Sequence, residues 1–74
     1  MLEPTNEDRA GWARDAIHAF MDATMSGSRD PEDYQCAIGD LLADMRHLAH
    51  QEDWDFAAKV EGSLAVFVAE QETT

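Results

Sequence analysis

The chain has 74 residues, 45% of them apolar, and sixteen acids against five bases leave a formal charge of −11. One short domain follows from that length, and it buries only about 60% of the surface its unfolded form exposes, so its core is thin. The charge argues against direct nucleic-acid binding and against anionic membrane surfaces, because phosphates would be repelled from every face; it favours basic partners instead.

Thin cores of this size usually lean on a disulfide, a metal or a partner subunit. Cys36 is the single cysteine and cannot form an intramolecular disulfide, so a reducing, cytoplasmic location is expected. Residues 1–8 are acidic and lack an apolar run, so no signal peptide is expected, and the longest apolar run, Leu64 to Ala69, is far short of a membrane span.

Punctuation divides the chain into three segments, and the expected fold is an all-α three-helix bundle with short loops, a single domain over residues 1–74. The first helix is expected over about residues 7–25. Thr5 or Asn6 can cap it, and Glu7 and Asp8 follow at its positive end. Ala13, Ile17, Phe20, Met21 and Thr24 recur at helical spacing, with Trp12 beside that stripe. Ser26 to Arg29 end the segment, with Gly27 as the left-handed terminator.

The second helix is expected over about residues 31–50. Asp30 is positioned to cap it, Pro31 suits the first helical position, and Glu32 and Asp33 lie at the amide-rich end. Tyr34, Ile38, Leu41, Met45 and Leu48 alternate steps of four and three, a heptad seam widened by Ala37, Leu42 and Ala49. Gly39 with Ala43, and Gly62 in the third segment, suggest close backbone approach or, for Gly62, a kink.

The third helix is expected over about residues 55–70, capped by Asp53 or Asp55. Phe56, Val60, Leu64 and Phe67 form its stripe, while Val66 and Val68 point elsewhere. A helix apolar on more than one side requires burial on more than one side. Leu64, Val66, Phe67 and Val68 are therefore the candidate surface for self-association as a homodimer or for docking on a partner. A strand here is disfavoured, since no second strand is available to pair with it.

Asp40, Asp44, His47 and Gln51 follow a three-and-four spacing, with His50 nearby, and an aspartate three residues before a histidine is a motif of helical metal bundles. One copy, read as facing away from the apolar seam, is better explained as a solvated face, so no metal and no cofactor are expected. Catalysis is not expected either. No histidine has a nucleophile at a telling spacing, the glycines are scattered singly, and Cys36 in a helix reads as a small core residue.

The acids themselves cluster. Asp33, Asp40 and Asp44 lie on the second helix, and Glu52, Asp53 and Asp55 surround Trp54 at the following turn. Carboxylates one turn apart on a rigid helix stand about 5–6 Å from each other, and such a row loosely imitates a phosphate strand. Trp54 ringed by acids suits an anchor for an arginine-rich partner. It also suits a staple that closes the end of the bundle, which the thin core favours. The competing reading of the acids is a charged coat that confers solubility or reflects a saline host, and the single lysine, Lys59, fits that too.

The run Asp40-Leu41-Leu42-Ala43-Asp44-Met45-Arg46-His47-Leu48-Ala49, followed by Trp54-Asp55-Phe56, resembles a stretch of small acidic helical proteins carried by phages, plasmids and other mobile elements. The resemblance covers under a quarter of the chain and transfers no functional residue. It implies a mobile-element origin, and proteins of that kind include anti-CRISPR inhibitors that disable host nucleic-acid machinery. The functional expectation is an acidic helical protein that blocks a basic protein or nucleoprotein complex, binding through Asp33, Asp40, Asp44, Glu52, Asp53, Trp54 and Asp55. The alternative is a structural or accessory subunit that assembles through the third helix.

Overall fold

The computed structural model describes residues 3–72; the first and last two residues of the domain read from the sequence lie outside the described residues. Three helices form an open bundle, α1 (Asn6–Thr24), α2 (Pro31–Glu52) and α3 (Phe56–Gln71).

Local chemistry sets each boundary. Thr5 caps α1 in a reciprocal box, its hydroxyl accepting from the Asp8 N–H at 3.1 Å while the Thr5 N–H donates to the Asp8 carboxylate at 3.0 Å. Past its end, Ser26 (φ 54°) and Gly27 (φ 76°) both turn left-handed, and the Met21 carbonyl accepts from the N–H groups of Met25 and Gly27. Asp30 precedes α2 but makes no side-chain cap bond. Ser28 instead donates its hydroxyl to the Asp33 carboxylate and ties the loop to the helix start. Asp53 is the left-handed terminator of α2, with the Trp54 N–H donating to the Ala49 carbonyl at 2.8 Å and the Asp53 N–H reaching His50. Asp55 then caps α3, accepting from the Ala58 N–H at 3.0 Å.

The helices meet at three corners. Between α1 and α2, His18 and Tyr34 share a hydrogen bond of 2.6 Å, and Arg29 bridges to Asp22 at 2.9 Å. Between α2 and α3, the Arg46 guanidinium lies 4.8 Å over the Phe56 ring. Between α3 and α1, Arg9 pairs with Glu70 at 2.6 Å, and the Asn6 side-chain amide donates to the Glu70 carbonyl at 3.2 Å.

What lies between the corners is thinly filled. Among the described residues only Met21, Ala37 and Ala49 are buried. The heptad seam is therefore not the core. Tyr34 and Leu41 are half-buried, whereas Ile38, Leu42, Met45 and Leu48 stand 43–53% exposed. The physical reason is that the residues closed off on α2 are the small Ala37 and Ala49, and helices joined at corners such as His18–Tyr34 and Arg46–Phe56 do not close over the larger seam residues beside them. The stripes on the other helices are likewise incomplete: Ile17, Phe20 and Phe56 are half-buried, but Ala13, Val60, Leu64 and Phe67 are exposed. Cys36 is exposed as well, not a core residue. The expected close backbone approach is also missing, because a Cβ added at Gly39 or Gly62 would meet nothing within 4 Å.

The resulting particle is expanded. Its radius of gyration is 14.2 Å, against about 11 Å for a compact domain of this length.

Candidate functional site

The acids singled out from the sequence fall into two groups. Asp33, Asp40 and Asp44 share one face of α2, since steps of seven and four bring residues to the same side. Asp40 and Asp44 do not turn away from the helix packing. They stand at the rim of a cleft of about 260 Å³ beside Phe20, Thr24 and Met25 of α1. Glu52, Asp53 and Asp55 form the second group, at the α2–α3 turn and about 12 Å of helix rise beyond Asp44.

Local structure already employs part of this set. Asp33 holds Ser28, Asp53 terminates α2 and Asp55 caps α3. Among the described residues Asp40, Asp44 and Glu52 are exposed and carry no side-chain hydrogen bond or ion pair. Trp54 is 60% exposed, so it does not fold back as a staple over the end of the bundle. Its neighbours in sequence are Asp53 and Asp55. No group of three or more histidine, cysteine, aspartate or glutamate side chains with the geometry to hold a metal ion occurs among the described residues.

The apolar candidates are open throughout. Leu64, Val66, Phe67 and Val68 are 52–65% exposed. Helical register separates them: Val60, Leu64, Phe67 and Val68 follow the i, i+4, i+7, i+8 spacing of one continuous face, and Val66 lies on the opposite flank, one turn after Gly62.

A feature that sequence reasoning missed lies between α1 and α2. Ala10, Ala13, Ile17, Ile38, Leu42 and Met45 line an apolar groove of about 530 Å³, with Arg14 also in its lining. The signal was present in the sequence, because two apolar stripes were both assigned to one core. Only the tertiary structure shows that these stripes line an open groove.

No protein-family model matches the chain, and no curated protein or solved structure matches it. No helix among the described residues is long and apolar enough to cross a membrane.

Proposed function

We propose that the protein acts by binding and blocking a basic nucleic-acid-handling protein or complex, its acidic helix faces occupying the surface where the phosphate backbone of a nucleic acid would lie. The observation that carries this reading is the uncompensated field. The chain bears a formal charge of −11, and only two ion pairs join its described side chains. Asp40 and Asp44 are exposed on a rigid helix at the cleft rim and have no partner among the described residues, so their charge is open to a cationic surface. Trp54 adds an exposed ring between Asp53 and Asp55, a stacking surface for an arginine. The resemblance to proteins of mobile elements accords with an inhibitor of the anti-CRISPR kind.

The test is affinity capture from nuclease-treated host lysate with elution in a salt gradient, followed by binding of an Asp40→Lys/Asp44→Lys variant to the captured partner. A basic partner released as salt rises, and an affinity lowered at least tenfold with helical content intact, are the expected results. Unchanged affinity of the double reversal sinks the reading.

A second reading is favoured by a separate observation, the exposure of the apolar face of α3. In it the protein is a structural or accessory subunit that self-associates or docks through that helix. Val68→Asp then abolishes assembly, and reversal of Asp40 and Asp44 changes little.

A further inference from the structure

The apolar surface left open by the three helices has two complementary parts. One is concave, the α1–α2 groove of about 530 Å³ floored by Ala13, Ile17, Ile38, Leu42 and Met45. The other is convex, the α3 face of Val60, Leu64, Phe67 and Val68, whose members are 44–65% exposed.

Area shows how much cover is missing. A folded monomer of this mass exposes about 4,600 Å² by the scaling of surface with mass, whereas this chain exposes 6091 Å². The excess is about 1,500 Å² per chain, or about 3,000 Å² for two chains, which falls within the range buried by obligate homodimers.

Charge indicates which surfaces two such acidic chains can bring together. The α3 helix carries only Lys59, Glu61 and Glu70 among its charged residues, against five acids and one arginine on α2. Arg14, at the groove, makes no ion pair among the described residues.

The geometry points to a second copy of this chain as the occupant: the Val60–Leu64–Phe67–Val68 face of α3 from one protomer seats in the α1–α2 groove of the other, and the exchange is reciprocal. A two-fold arrangement of this kind closes on itself and leaves neither groove empty. Arg14 then faces an acidic chain and offsets part of the repulsion between the copies. This rests on the second reading above in its self-associating form, and it adds the receptor surface that α3 enters.

The experiment is sedimentation velocity on the full chain, on Leu64→Asp, on Ile38→Asp, and on an equimolar mixture of the two variants. The expected result is a dimeric wild type that tightens as salt screens like charges. Each variant alone dissociates at least a hundredfold more readily. Their mixture recovers a dimer, because one intact groove still meets one intact α3, whereas Val66→Asp stays dimeric. Isotope-filtered NOEs between the Ile38 or Leu42 methyls of one wild-type copy and the Phe67 ring of the other check the same contact without any substitution.

A wild type that is monomeric at every concentration overturns both this inference and self-association, including the case in which another protein or an apolar small molecule fills the groove. A dimer broken by Leu64→Asp but not by Ile38→Asp, with no groove-to-Phe67 NOE, overturns only the groove and leaves α3 self-pairing. Should either variant unfold, the wild-type NOEs decide.

Discussion

Replacing Met21 by alanine strikes the one large side chain with no exposed surface among the described residues. Full burial of a methionine side chain contributes about 1.5–3 kcal/mol by transfer, and truncation to alanine in a core costs about 2–5 kcal/mol once the cavity is included. The low end applies here. Phe20, Met25 and Ile17 are only half-buried, so they have freedom to settle into the gap. The expected loss is about 2–3 kcal/mol, equivalent to a fall of about 10–20 °C in Tm for a domain of this length. Thermal melts by circular dichroism and urea titrations measure it, with the urea slope unchanged because the same surface unfolds. A loss under about 0.5 kcal/mol would show that the α1–α2 corner is not where this fold is held.

Two glycines should respond with opposite signs. Gly11→Ala, mid-helix with nothing within 4 Å of the added Cβ, is expected to raise stability by about 0.5–1 kcal/mol. Gly27→Ala, at φ +76° with Asp22 Oδ1 at 3.4 Å from the new carbon, is expected to lower it by about 1–2 kcal/mol; paired denaturation curves compare them. Arg9→Ala removes the 2.6 Å ion pair to Glu70, whose side chains are 27% and 32% exposed. Solvent screening limits that cost to about 0.5–1 kcal/mol, and the readout is faster amide exchange confined to the last turn of α3.

Much of the secondary structure was legible because it is written in short-range chemistry. The pairing of Asp30 with Pro31, and the turn residues Ser26 and Gly27, act within a few residues of themselves. Helix ends read from them fall within one or two residues of Asn6–Thr24, Pro31–Glu52 and Phe56–Gln71. Where two acids competed for a role, spacing left the choice open. Asp53 and Asp55 were both candidate caps, and the backbone assigns the first to the end of α2 and the second to the start of α3.

The α3 helix shows both what the sequence by itself determined and where it stopped. Spacing alone placed apolar residues on more than one side of Phe56–Gln71, and the structure leaves both the Val60–Leu64–Phe67 stripe and Val66 and Val68 exposed. Periodicity reports which residues share a face, however, and not what that face meets. The heptad stripe of α2 pointed to Ile38, Met45 and Leu48 as core, yet the buried residues of α2 are Ala37 and Ala49, and those larger residues stay open. Trp54 was free to fold back or stand out, and after the left-handed turn at Asp53 it stands 60% exposed. Those outcomes depend on how three helices lie against one another, through contacts between helices such as Arg9–Glu70 and Arg46–Phe56 that no local pattern encodes.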